Sequence, residues 1–393
     1  MPQRTAHHGA RRRGRAVLAV FLAGAAMVAG CSSADPEPSA STGPRLNEIQ
    51  FLASHNSYHV RPEQPLFDTM LKFSEELVRT IEYSHPPLDE QLDLGLRGFE
   101  LDVFADPEGG RYRERLGPRI LNLPTAVGPA ELSAPGFKVM HVQDIDFGTT
   151  CLTFVACLRV VKAWSDAHPG HLPIFIQVEP KEDTLEISGL DLVEALPYTP
   201  ELMKELTAEV RSVFPDRDLL TPDDVRQGAA TLSAGLQRNG WPTVDSLRGK
   251  VVMALGSSGR QRDALMAAFP GTRGGVFFPD SAPGDPFAAF AGLDDPQTPA
   301  QRRRIRAALD AGMLVRTRTD ADLLEGRSGD RSRASAAFAS GAQVVSTDFF
   351  RPAPEIAGDF VVGLPGGGVA RCDPVTAPPG CVAPTEPVAA GRK

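Results

Sequence analysis

Nine polar residues share a placement that suits chemistry. His55, Asn56, Glu100, Asp102, His141, Glu179, Lys181, Arg316 and Arg318 all lie in or just after short apolar runs. The run Phe51-Leu52-Ala53 leads into His55-Asn56, and Glu100 and Asp102 alternate with Phe99, Leu101 and Val103. His141 follows Val139-Met140, and Glu179 follows Ile176-Gln177-Val178. Two histidines delivered by separate strand ends can serve as general base and general acid, because imidazole titrates near neutral pH. Glu100 and Asp102 are two residues apart, so a strand turns both to one side. Like charges on a buried side are costly unless a cation or a proton intervenes. With the Asn56 carbonyl and Glu179 they form an all-oxygen set that suits Ca²⁺ or Mg²⁺ and does not suit a soft metal. The alternative for the pair is a salt bridge to Lys181 or Arg97. Lys181 falls on the same face as Glu179, and Arg316, Arg318 and Asp320 repeat that spacing. Cations on one rim fit a phosphate-bearing substrate, with Lys181, Arg316 and Arg318 as its contacts. Taken singly, a buried histidine is usually structural and a charge usually solvated; the combination is the signal. His59 reads as a residue that shapes its loop, and His85, His168 and His171 read as surface residues beside prolines or helix ends.

The elements that would position these groups alternate along the chain. Strand-like runs are expected at 48–53, 98–104, 137–142, 172–178, 250–255, 275–278, 313–317 and 343–346. Helical spacing is expected over 66–84, 86–92, 152–168, much of 182–249, 301–311 and 331–339. Thr221-Pro222-Asp223-Asp224 has the form of a helix N-cap with proline in the first turn. Eight strands alternating with helices specify an α/β fold, a TIM-type (β/α)8 barrel, whose site lies at the C-terminal ends of the strands. One barrel domain is expected over 45–362, followed by a loop-rich tail at 363–393. The Gly/Pro-rich stretch 105–136 is a loop near the site. Ser346-Thr347-Asp348 closes the last strand, a place where such barrels often hold phosphate.

Composition narrows the class. A chain of 393 residues with 42% hydrophobic content can bury a large core, and a net charge of −8 argues against a nucleic-acid partner. Residues 1–30 read as a signal peptide: Arg11-Arg12-Arg13-Gly14-Arg15 precedes an apolar stretch too short to span a bilayer. That stretch ends at Ala29-Gly30-Cys31, which resembles a bacterial lipobox with Cys31 as the lipidated residue that anchors the chain to a membrane. A flexible tether follows over 31–44. The expected location is extracytoplasmic, as a membrane-anchored lipoprotein or a secreted protein. Cys151, Cys157, Cys372 and Cys381 remain, an even number that fits two short-range disulfides, although spacing leaves the connectivity open.

His55-Asn56-Ser57-Tyr58, Glu100-Leu101-Asp102, His141 and Glu179 together resemble the catalytic pattern of phosphoinositide-specific phospholipases C, above all the Ca²⁺-dependent bacterial enzymes. The likeness extends through Trp241-Pro242, Arg248-Gly249-Lys250, the Arg316 to Asp320 segment and Val345-Ser346-Thr347-Asp348. It implies a barrel that cleaves a phosphodiester or phospholipid by attack of a neighbouring hydroxyl, releasing a cyclic phosphate. It also implies Ca²⁺ at Asn56, Glu100, Asp102 and Glu179, with His55 and His141 on opposite sides of the phosphorus. The pattern departs at Arg316-Thr317-Arg318, where eukaryotic members carry Arg-x-Tyr. Two other readings remain: a glycerophosphodiester phosphodiesterase that uses water, and a non-enzymatic surface lipoprotein that binds a ligand in the barrel mouth.

Overall fold

Alternating side-chain direction explains how this chain sorts its residues. The structure is a computed structural model that describes residues 43–387 except Ser188 and Ala357. The leader 1–30, the lipidation candidate Cys31 and most of the 31–44 tether therefore lie outside the described residues. The strands are β1 (Ile49–Ser54), β2 (Gly98–Phe104), β3 (Lys138–Val139), β4 (Ile174–Lys181), β5 (Leu219–Leu220), β6 (Val251–Leu255), β7 (Phe277–Pro279), β8 (Phe290–Gly292), β9 (Leu314–Arg318), β10 (Val344–Thr347) and β11 (Ala370–Cys372).

Parallel pairing runs β7-β6-β4-β2-β1-β10-β9-β8, and a single parallel bridge between Asp280 and Phe290 joins the two ends. Eight strands thus curl into the barrel. Its outward residues, among them Phe99, Leu101, Val103, Ile176, Val178 and Met253, pack against helical Phe154, Leu158, Val161, Leu206 and Val210. Its inward residues at the lower end, including Phe51, Phe175, Val252, Phe278, Leu314 and Val344, form a second apolar cluster. Removing each such side chain from water contributes roughly 1.5–3 kcal/mol. Farther up the same inward columns the residue types change to Glu100, Asp102, Glu179, Arg316, Arg318 and Ser346. The fold places its cost there and its stability below.

One expected strand gives way to one that the sequence does not announce. Residues 137–142 were expected to add a barrel strand, but only Lys138–Val139 pairs, antiparallel to β2 and outside the parallel ring. The ring is completed instead by Phe290–Gly292, too short and too rich in Ala and Gly to stand out from its flanks. The helix expected over 66–84 is broken into Gln64–Leu71 and Glu75–Arg79, with the Ser74 side chain capping the second. Within 182–249, the helices Pro200–Val213, Pro222–Arg226 and Leu232–Asn239 form, while 191–199 has no regular structure and Leu219–Leu220 pairs with the first half of β6. Thr221 caps its helix in a reciprocal capping box with Asp224, worth about 1 kcal/mol.

The tail also contributes structure. Its β11 pairs antiparallel with β1, and Glu386 makes an ion pair with buried Arg97. Disulfides join Cys151 to Cys157 and Cys372 to Cys381. Among the described residues no helix is long and apolar enough to cross a membrane.

Candidate active site

A tight turn after β1 begins the site. Asn56 adopts a left-handed conformation (φ 40°), which turns the chain back so that the Ser57 N–H donates to the Glu100 carbonyl at 2.9 Å. The Glu100 N–H in turn donates to Ser57 Oγ at 2.8 Å. This pair of bonds ties the His55-Asn56 corner to β2. The Asn56 side chain lies against the Tyr83 hydroxyl, whose pKa burial pushes well up.

On β2 and β4 the carboxylates converge. Asp102 and Glu179 are opposite each other in the parallel register, and Glu100, Asp102 and Glu179 all face the barrel interior. Arg316 on β9 reaches across to Glu100 and also holds Asp294 at 2.7 Å. Lys181 forms an ion pair with Asp102 at 3.1 Å. Glu179 accepts from Gln177 Nε2 at 2.7 Å and from Ser257 Oγ at 3.0 Å, neither of them a cation. Burial, followed by Glu100 and Asp102, pushes the Glu179 carboxyl up to about 8. Gly256 packs beside it: a Cβ there would overlap Glu179 Oε1 and stand 2.7 Å from Gln177 Nε2, so a larger residue must push these side-chain ends aside. Three inward carboxyls served by two cations leave Glu179 holding a proton near neutral pH, a place that an oxygen-ligated divalent ion can take. The donor set fits Ca²⁺. The salt bridges to Lys181 and Arg316 exist as well, so they accompany that convergence rather than abolish it; Arg97 is elsewhere, paired with Glu386.

Each of the two histidines has its own carboxylate. His55 Nδ1 lies 3.0 Å from Asp348 Oδ1, at the end of β10. Its Nε2 is 3.2 Å from Arg318 Nη1, and Arg318 Nη2 donates to Asp348 Oδ2 at 3.1 Å. A guanidinium can only donate, so His55 Nε2 accepts and its proton resides on Nδ1, facing Asp348. Burial works against ionised Asp348, yet His55, His85 and Arg318 hold its pKa well below the usual range. Behind it, Asp320 accepts from Thr319 Oγ1 and Thr347 Oγ1, each at 2.6 Å, and from the Asp348 N–H at 3.0 Å.

The second pair stands on the other side of β2. His141 Nδ1 lies 2.7 Å from Asp146 Oδ2. Asp146 is shared: His59 Nε2 is 2.9 Å from its Oδ1, and His59 Nδ1 donates to the Tyr83 carbonyl at 3.0 Å. Burial opposes charge on Asp146, but His59 and His141 outweigh it and keep the carboxyl below its ordinary range. The His59 pKa is raised, burial lowering it and Asp146 more than compensating. His141 is 27% exposed while His59 and Asp146 are buried. It lines a cavity of about 470 Å³ together with Glu179, Lys181, Glu182 and Ser257.

The sequence-derived residues therefore meet at one mouth of the barrel, although Lys181, Arg316 and Arg318 arrive already paired with carboxylates. His141 comes from the loop after β3 and not from the end of a barrel strand. Two orienting carboxylates were missed. In the sequence Asp348 reads only as part of a phosphate-holding strand end, and the one signal for Asp146 is its place five residues after His141. His59 is more than a loop residue, since it shares Asp146. His85 is buried, not superficial: its Nε2 donates to the His55 carbonyl at 3.0 Å. His171 is buried too, hydrogen-bonded to Ser165 and the Leu172 carbonyl, away from the site.

Comparison with known proteins gives the geometry a context. The family model described as phosphoinositide phospholipase C, Ca²⁺-dependent, matches residues 44–374. No curated protein matches. Among solved structures, the calcium-dependent phosphoinositol-specific phospholipase C of a Gram-negative Pseudomonas species is similar with a TM-score of 0.51 and 19% identity, over 84% of this chain and 96% of that one. The Ca²⁺-dependent phosphatidylinositol-specific enzyme of Streptomyces antibioticus follows with a TM-score of 0.48 and 18% identity, over 78% and 96% of the two chains.

Proposed function

The chain belongs to the Ca²⁺-dependent phosphoinositide phospholipase C family, and from that membership we propose how its own residues divide the work of a phospholipase C-type phosphodiesterase. The observation that carries the proposal is the pair of separate histidine–carboxylate couples, His55–Asp348 and His141–Asp146, flanking the inward carboxylates.

Asn56, Glu100, Asp102 and Glu179 would hold Ca²⁺. When bound, the ion lowers the pKa of a coordinated hydroxyl and offsets charge on the phosphoryl oxygens. His55 Nε2, the accepting nitrogen, takes the proton of the substrate hydroxyl that neighbours the phosphodiester, and Asp348 steadies the imidazolium that results. His141 delivers a proton to the departing alkoxide, with Asp146 fixing its ring. Arg318 starts on His55 Nε2 and moves to a phosphoryl oxygen as the diester enters, which leaves the nitrogen free. Lys181 and Arg316 keep Asp102 and Glu100 in place and contact the head group from the rim. The product is a cyclic phosphodiester and a free alcohol.

Phosphorus NMR of early product tests the reading. A cyclic phosphate that forms in Ca²⁺ and is absent with EDTA is expected; an acyclic phosphomonoester as the first product would refute intramolecular attack. The substrate class is a phosphoinositide, following the family description. The two disulfides suit an oxidising, extracytoplasmic setting. Within that setting we assign the anchor to Cys31, supported by the lipobox-like Val28-Ala29-Gly30-Cys31; intact-mass analysis of membrane-extracted protein showing an unmodified Cys31 would remove that assignment.

A further inference from the structure

We propose that His59, Asp146 and His141 constitute a second metal site, selective for a borderline divalent cation such as Zn²⁺, and that occupying it shuts the enzyme off. One ligand atom from each of the three lies within 4.8 Å of the other two. The cluster is distinct in kind from the Glu100/Asp102/Glu179 set. Two imidazole nitrogens and one carboxylate oxygen suit zinc, which takes about four ligands at roughly 2.0–2.2 Å. Ca²⁺ wants roughly six to eight oxygens and gains little from imidazole. The two ions would therefore sort themselves between the two sites.

The surroundings look built for coordination. His59 donates its Nδ1 proton to the Tyr83 carbonyl at 3.0 Å, so Nε2 is the nitrogen aimed at Asp146. A ring nitrogen held by a backbone carbonyl while its partner faces the metal is the usual support of a metal-binding histidine. Asp146 and His141 sit on one tight loop, closed by reciprocal bonds between Val142 and Asp146 at 2.9 and 3.0 Å. His59 is pinned by the β1 turn, its N–H donating to the Asn56 carbonyl at 2.8 Å. The present Asp146 contacts of 2.9 and 2.7 Å need to open only slightly to admit an ion. His59 and Asp146 are essentially inaccessible, so entry is from the cavity side, past the partly exposed His141.

The inhibitory consequence follows from the atoms involved. A cation on His141 Nδ1 displaces the hydrogen bond to Asp146 that orients the ring. An imidazole coordinated through one nitrogen holds the proton on its other nitrogen too firmly to deliver it to an alkoxide. Turnover would fall even with substrate and Ca²⁺ bound.

The test uses the full chain saturated with Ca²⁺ and titrated with Zn²⁺, and in parallel with Co²⁺ as a spectroscopic probe. The expected result is one Zn²⁺ bound per chain and at least a tenfold loss of turnover that added Ca²⁺ does not relieve. Co²⁺ should show the intense visible absorption of a four-coordinate site. His59→Asn should lose the Co²⁺ signal and Zn²⁺ binding, whereas His55→Ala, inactive if the catalytic reading holds, should keep both. Should His59→Asn fail to fold, Asp146→Asn replaces it, since the amide retains hydrogen bonding but not the anionic ligand. Relief of inhibition by Ca²⁺, unchanged binding in the variants, or no bound Zn²⁺ at all would overturn the proposal. Because the metal readout needs no turnover, it stands or falls separately from the catalytic assignment.

Discussion

Asp348→Asn probes the arrangement around His55 most directly. The carboxylate accepts from His55 Nδ1 at 3.0 Å through one oxygen and from Arg318 Nη2 at 3.1 Å through the other. An asparagine can satisfy only one of them. With its carbonyl toward His55, the amide NH₂ meets the Arg318 guanidinium, donor against donor. With the NH₂ toward His55, Nδ1 must accept, the ring proton moves to Nε2, and Nε2 then clashes with Arg318 Nη1. One hydrogen bond to a charged group is lost either way, a cost of about 1.5–3 kcal/mol. Expressed as rate, that is a fall of about 10- to 150-fold in kcat/KM at saturating Ca²⁺. Replacing Arg318 by Leu removes the conflict, so Asp348→Asn should cost less in that background, with a coupling of about 1 kcal/mol or more in a double-mutant cycle. Two substrates make the assay specific. A diester with an alkyl leaving group needs both histidines, and one with a nitrophenyl leaving group needs no proton donor. Asp348→Asn should be impaired on both, whereas Asp146→Asn should be impaired chiefly on the alkyl diester. Additive losses, or Asp348→Asn within twofold of the parent, would refute the shared geometry.

Three further outcomes are expected. Glu179, with its carboxyl pushed up to about 8, binds a proton in the folded chain that the unfolded chain releases near pH 4.5. Without Ca²⁺ the folded state therefore loses stability as pH rises from about 5 to 8, and the Ca²⁺-induced rise in Tm grows over the same interval; calorimetry with EDTA and with Ca²⁺ checks both, and Glu179→Gln should flatten the dependence. Gly256→Ala drives a methyl into Glu179 and should raise the Ca²⁺ concentration for half-maximal activity about tenfold or more; a Ca²⁺ titration of kcat/KM decides it. Glu386→Ala strands the buried Arg97 guanidinium and should cost about 3 kcal/mol, read as a lower urea midpoint with unchanged Ca²⁺ dependence.

Much of this was legible in residue order because the barrel uses period-two columns whose lower members are apolar and whose upper members are polar. Phe51, Ala53 and His55 form such a column, as do Leu314, Arg316 and Arg318. What escaped was held by tertiary contact. Phe290–Gly292 carries too little side-chain pattern to announce a strand, and it pairs only because β9 offers Leu314, Val315 and Arg316 beside it. Residues 137–142 have the apolar content of a strand, yet Asp144 takes a left-handed turn (φ 69°) that folds them into the loop carrying His141. His85 resembled a surface residue because it precedes Pro86 and Pro87, but a ring hydrogen-bonded to the His55 carbonyl cannot be seen from neighbours in sequence. Orienting carboxylates are hard to read for the same reason: Asp348 lies 293 residues from His55.

The charge balance of the mouth explains why this set of residues needs an ion to work on a phosphodiester. Arg316 is engaged by Glu100 and Asp294, Lys181 by Asp102, and Arg318 by Asp348. Each cation that would attract a phosphate is already neutralised, and Glu179 has no cation among its hydrogen-bond partners. An anionic diester approaching this mouth therefore meets Lys181, Arg316 and Arg318 already paired, beside a Glu179 carboxyl that stays protonated up to about pH 8 without an ion. A divalent ion held at Glu100, Asp102 and Glu179, as proposed above, would displace the Glu179 proton, add net positive charge, and weaken the claim of Asp102 on Lys181 and of Glu100 on Arg316. On that proposal both basic side chains would become available to the head group only in the Ca²⁺-loaded protein. The dependence on Ca²⁺ should consequently appear in KM as well as in kcat, which a cation acting on the attacking hydroxyl alone would not produce.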